Sequence, residues 1–116
     1  AHSYFMQNMY AADFAWNAFR KEHKTLISEY SELDVLKDKK IFVTVDLDVL
    51  DPSVMPGTGT PESGGMQFNE LIGWFEYLKN FDIIGADVVE LAPDYDASGV
   101  STAVATKVIR ELLMVM

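Results

Sequence analysis

The sequence predicts an α/β fold, a parallel sheet flanked by helices, and three observations carry that reading. The runs Ile41–Val45 and Ile83–Val89 are dominated by apolar, β-prone residues and read as buried strands. Between them, Phe68, Leu71, Ile72, Phe75 and Leu78 recur at helical spacing over 67–80. Two strands joined by a helical crossover form a parallel, right-handed unit in nearly every known case. The third observation concerns charge at the strand ends. Asp46 and Asp48 follow the first strand and Glu90 ends the second. Parallel neighbours place their C-terminal ends at one edge of the sheet, where α/β proteins bind ligands, so the topology by itself gathers these acids.

The remaining elements follow from local pattern. Phe5, Met9, Ala12, Trp16, Phe19 and Leu26 recur at helical spacing with polar residues between them, predicting a helix over about 3–30. That stripe is large for a small domain, and part of it is expected to be buried by another chain. Ser31 is expected to cap a short helical turn through Leu36, and Lys37–Lys40 reads as a charged, solvated turn. The Gly- and Pro-rich stretch after Asp48 cannot continue a strand or start a helix before about Met66. A loop over 91–99 carries Pro93, Asp94 and Asp96. The last helix, about 101–115, has Val104, Val108 and Leu112 at steps of four, with Ser98 or Ser101 as its cap.

Length and composition bound the function. The 116 residues are read as one domain, 1–116, with ample apolar and aromatic content for a core. A net charge of −9 argues against nucleic acid or an anionic membrane as partner and suits a cationic ligand or a metal. With no cysteine there is neither a disulfide framework nor a thiolate metal site. No run approaches the roughly 18 apolar residues of a membrane span, and no signal-peptide pattern opens the sequence, so a cytoplasmic location is expected.

Asp46 and Asp48 are the candidates for chemistry. Side chains on an extended chain alternate between faces, so if strand geometry persists through Asp48 both carboxylates project into one space. Burying either alone costs several kcal/mol, roughly, and each repels the other. A divalent cation resolves the conflict, since hard oxygen ligands suit Mg, Ca or Mn. The bland alternative is a solvated Asp-rich turn, which accounts for Asp51-Pro52 but not for the spaced pair before it. For Glu90 the bland alternative is a strand-end acid in an ordinary salt bridge. The glycines of 56–65 allow close backbone approach to a site, but no Gly-Lys-Ser follows to make a nucleotide loop.

Thr44-Val45-Asp46-Leu47-Asp48, then Pro52, Pro56-Gly57 and Gly65, resembles the signature of the ureohydrolases, the arginases, agmatinases and their relatives. Asp87-Val88-Val89-Glu90 with Pro93 resembles agmatinase-type members more than arginases. The resemblance implies a three-layer, arginase-like α/β domain, of which this sequence is the C-terminal part. It also implies a binuclear manganese hydrolase acting on a cationic guanidino compound such as agmatine, releasing an amine and urea. Asp46 and Asp48 fall where the family binds its two Mn²⁺ ions. Glu90 falls near the carboxylate that orients the guanidinium by paired hydrogen bonds, a catalytic and substrate-binding position. A homo-oligomer, trimer or hexamer, is implied as well.

The sequence also departs from the pattern. Upstream aspartate and histidine ligands are missing. Ala1-His2 matches part of the family motif Asp-Ala-His-x-Asp, but Tyr4 stands where an aspartate is needed, and His2 is read as a terminal residue without a role. His23 is read as solvated. The resemblance covers about Ile41 to the C-terminus, the last third of chains usually more than twice as long, and this chain alone is expected to be inactive. Two alternatives stand beside the enzyme reading. One is a non-catalytic fragment or assembly module that pairs with another chain through open sheet edges. The other is a haloacid-dehalogenase-type phosphatase with Asp46 as nucleophile, although Val49, Leu50 and Asp51 provide nothing to hold a phosphate.

Overall fold

The computed structural model describes residues 33, 34 and 36–116. The helix expected over 3–30, with its aromatic stripe, both histidines and the Ser31 cap, lies outside the described residues. In order, the described elements are β1 (Lys40–Asp46), a 3-10 turn (Leu47–Val49), α1 (Phe68–Leu78), β2 (Asp82–Val89), a second 3-10 turn (Pro93–Tyr95) and α2 (Val100–Leu113).

β1 and β2 pair in parallel, as the crossover through α1 requires. Lys40 lies opposite Asp82 and Ile41 opposite Ile83, then the register shifts so that Phe42 faces Gly85 and Asp46 faces Val89. The extra residue is Ile84, and a glycine follows it for a steric reason. A Cβ on Gly85 would sit 2.9 Å from the Phe42 ring. On one face of the sheet, Val43, Val45, Ala86 and Val88 meet Leu71 and Phe75 of α1 and Ala105, Val108 and Leu112 of α2. On the other, Phe42 and Ile84 are 61 and 60 % exposed, and Thr44 donates its hydroxyl hydrogen to Asp87 across the strands.

The turn after β1 anchors itself by alternation. In Asp46-Leu47-Asp48-Val49-Leu50 the three apolar side chains are buried, Leu47 and Leu50 completely, at about 1.5–3 kcal/mol each. The acids between them are only part-buried. The chain then closes a loop. Leu50 bridges Met66 in parallel, the Met66 N–H donating to Val49 O at 2.8 Å and the Asp51 N–H to Met66 O at 2.9 Å. Gly65 permits that crossing, because a Cβ there would meet Asp51 N and Val49 O at 2.7 Å. Asp51 holds the loop ends together, accepting from the Gly64 N–H at 2.8 Å, the Ser53 N–H at 2.9 Å and the Ser53 hydroxyl at 2.5 Å.

α1 is capped by Gln67, whose N–H donates to Glu70 Oε2 at 2.7 Å. Besides its expected stripe it buries Trp74, which packs with Leu33 and Phe81 in a second small cluster. α2 starts from Gly99 in the left-handed region, φ 77°. Its capping group is the Asp96 carboxylate. That group accepts from the Ser98 N–H and hydroxyl at 3.0 and 2.5 Å and from the Ser101 N–H and hydroxyl at 2.7 and 2.6 Å. Of the two serines expected as caps, Ser98 takes the Val100 N–H at 3.2 Å, whereas Ser101 lies within the helix, fully buried. Among the described residues no helix is long and apolar enough to cross a membrane.

Two outcomes follow for stability. Leu47→Ala should lower unfolding free energy by about 2–5 kcal/mol in urea denaturation, since Leu47 is completely buried. The Ser101 and Ser98 hydroxyls, with their N–H groups, hold the Asp96 carboxyl far below its usual value of 3.8. A lowered folded-state value stabilises the protein above 3.8 and loses its effect as pH falls through that depressed value. Asp96→Asn should therefore lower the melting temperature at neutral pH, by a difference that shrinks toward about pH 2. A difference constant over that range would show that the charge of Asp96 is not what caps α2.

Candidate functional site

The candidate site is the edge formed by the C-terminal ends of β1 and β2. Asp46 closes β1 opposite Val89, so the next residue of the other strand, Glu90, falls beside it. Glu90 turns the chain out of the sheet with φ 70°, a left-handed conformation that costs a side-chain-bearing residue roughly 1 kcal/mol. Asp48 reaches the same region by a different route from the one its spacing suggests. Strand geometry ends at Asp46, and Asp48 lies in the 3-10 turn. The Asp48 N–H folds back to Asp46 Oδ1 at 3.1 Å. A tight turn, rather than alternation along a strand, brings the two carboxylates together.

Electrostatics registers the crowding. Burial chiefly, then the Asp48 and Glu90 carboxylates, push the Asp46 carboxyl up to about 6, against the opposing hydrogen bond from the Asp48 N–H. All three acids named by the sequence thus act on one region. The loop between β1 and α1 leans over it, and the Thr60 hydroxyl donates to Asp48 Oδ2 at 2.6 Å. In the same loop, Thr58 is only 2 % exposed, and its hydroxyl finds no hydrogen-bond partner among the described residues.

Sequence reasoning missed Thr60, the contact of Ser101 with Gly57, and the stapling role of the two loop carboxylates Asp51 and Asp96. A signal for the carboxylates was present: Asp51-Pro52-Ser53 and Asp96-Ala97-Ser98 share the Asp-x-Ser pattern, whose carboxylate bonds the backbone two residues on. Thr60 and Ser101 act over sequence separations of 12 and 44 residues, beyond any local pattern.

The donor set fits part of a hard-cation site. Asp46 and Asp48 offer carboxylate oxygens in a region already carrying excess negative charge. Among the described residues, however, no group of three or more His, Cys, Asp or Glu is placed to hold a metal ion.

Solved structures of an agmatinase-type protein and of an arginase share this parallel α/β arrangement. A putative agmatinase from Clostridium difficile superposes with a TM-score of 0.77 at 44 % identity, covering 87 % of this chain and 40 % of that one. The proclavaminate amidino hydrolase of Streptomyces clavuligerus gives 0.69 at 30 % identity, covering 84 % and 36 %. By sequence, the agmatinase of Halalkalibacterium halodurans is 40 % identical over 107 residues, 90 % of this chain and 36 % of the relative. The pattern of the Arginase family matches residues 8–115, and the chain belongs to that family. The match starts well upstream of Ile41, so the resemblance extends through the N-terminal segment too. It also decides between the two family readings of Asp46-x-Asp48, in favour of the ureohydrolases. The chain spans little more than a third of the curated relatives it matches, 36 and 37 % of the first two.

Backbone strain at Glu90 gives a direct test of its role. Glu90→Gly relieves the left-handed conformation and should raise unfolding free energy by about 1 kcal/mol in denaturant titration. A lower stability would mean that Glu90 serves the fold and not a site.

Proposed function

We propose that this chain is the C-terminal part of a manganese-dependent ureohydrolase of agmatinase type, with Asp46 and Asp48 as metal ligands and Glu90 as the substrate-orienting, catalytic carboxylate. The observation that carries the reading is the crowding of these three acids at one sheet edge in a chain 40 % identical to an agmatinase over 90 % of its length. When bound, a pair of divalent ions supplies a water acidified enough to attack at neutral pH. Asp46 and Asp48 hold charge at the end of β1, with Thr60 fixing the orientation of the second carboxylate. Glu90, aimed by its left-handed backbone, accepts paired N–H bonds from a planar guanidinium and so positions its carbon. A cationic guanidino substrate also matches a net charge of −9.

Only two ligands come from the described residues, so a complete site draws the others from elsewhere in the assembled protein, and this chain alone is inactive. The agmatinase-length protein is a homo-oligomer, trimer or hexamer, and a cysteine-free sequence suits the reducing cytoplasm. A second reading, an assembly module completed by another chain, is favoured by the exposed Phe42 and Ile84 on a sheet that has two strands among the described residues.

The chain is joined, in cis or as a second polypeptide, to the upstream part of an agmatinase. Manganese-dependent urea release from agmatine is the expected result. In that assembly Asp46→Asn and Asp48→Asn should each lower kcat/KM by at least ~10³-fold, and Glu90→Gln should chiefly raise KM. Two ions bound as tightly by both aspartate variants as by the parent would remove the metal assignment.

A further inference from the structure

Gly57 joins two loops that leave the sheet at different strands. Its N–H donates to Ser101 Oγ at 2.7 Å, and its carbonyl accepts the Ala92 N–H at 2.7 Å. Ser101 is completely buried, and its hydroxyl hydrogen is directed to Asp96 Oδ2 at 2.6 Å. With that hydrogen committed, the oxygen lone pairs face Gly57. No side chain fits at the junction: a Cβ on Gly57 would lie 2.7 Å from Ser101 Cβ and 3.1 Å from Asp96 Cβ. Three residues beyond Gly57, Thr60 bonds Asp48; two residues before Ala92 stands Glu90.

We infer that Ser101 is a positioning residue: its buried hydroxyl, oriented by Asp96, clamps Gly57 to the loop after β2 and thereby fixes the Asp48 carboxylate relative to Glu90. The inference rests on the metal and substrate roles proposed above for those two acids. Serine suits the task because one small hydroxyl both accepts and donates, and glycine suits its partner because the contact leaves no room. The clamp spans the two connections that carry the acids, so loosening it separates groups that the strand register alone does not hold.

The test uses the chain joined to the upstream part of an agmatinase, with amide hydrogen exchange read residue by residue and Mn²⁺ titrated calorimetrically. Ser101→Ala should speed exchange at Gly57 and Ala92 together by about tenfold or more, leave the Val45 and Val88 amides of the strands unchanged, and weaken Mn²⁺ binding by about tenfold. Leu112→Ala loosens the same helix from its core side and should leave the Mn²⁺ affinity of the folded chain intact. Should Ser101→Ala fail to fold, Gly57→Ala carries the same test by forcing the junction apart without deleting a polar group. Wild-type exchange at Ala92 in Ser101→Ala overturns the clamp. Faster exchange at both amides with unchanged Mn²⁺ affinity overturns its reach to Asp48. If the unsubstituted assembly takes up no Mn²⁺, the metal reading fails, and exchange at Ala92 still decides whether Ser101 couples the loops.

Discussion

The register of β1 against β2 is the constraint from which the rest follows. Asp46 faces Val89, so Glu90 emerges beside it. A slip of one residue would displace Glu90 by about 3.3 Å and turn every inward side chain outward. Two features hold the register. Val43, Val45, Ala86 and Val88 must all meet the helices on one face. Near the N-terminal end, the register shift after Ile41 brings Gly85 under the Phe42 ring, where a Cβ would push that exposed ring aside.

Carboxylates in this chain take opposite fates, and environment decides which. Asp51 and Asp96 each receive backbone and hydroxyl donors from a serine two residues on, and both are held below the usual range. They remain anionic and serve as staples: one closes the loop between β1 and α1, the other caps α2. Asp46 receives one N–H and faces burial and two neighbouring acids, and its carboxyl is pushed the other way. The acids that shape the loops are thus held low by local donors, while Asp46 at the sheet edge is pushed up by burial and by its acidic neighbours.

Both strands, their parallel pairing and the α1 and α2 stripes were legible, because apolar periodicity reports the face an element buries. The three acids were legible because parallel topology fixes which strand ends share an edge. The route to Asp48 was not, since a period-two argument cannot see that Leu47 will be drawn into the core and end the strand at Asp46. Trp74 was missed for a related reason: it lies off the α1 stripe and is buried by Leu33 and Phe81, which come from before β1 and before β2. The Ser101–Gly57 contact joins residues 44 apart, and no local propensity encodes it.

Glu90 and the aspartate pair show how such an edge is maintained against its own cost. Like charges repel and a left-handed glutamate is strained, each by roughly 1 kcal/mol. The aspartates are held from behind, by Leu47, Val49 and Leu50, which the core buries at about 1.5–3 kcal/mol apiece and which alternate with the acids along the chain. Once those side chains are inside, the backbone that carries Asp46 and Asp48 is set, and the Thr60 hydroxyl orients the second carboxylate. Glu90 is fixed in the same manner, between β2 on one side and the Ala92–Gly57 bond on the other. The strain at this edge is therefore carried by the core and the loop clamps.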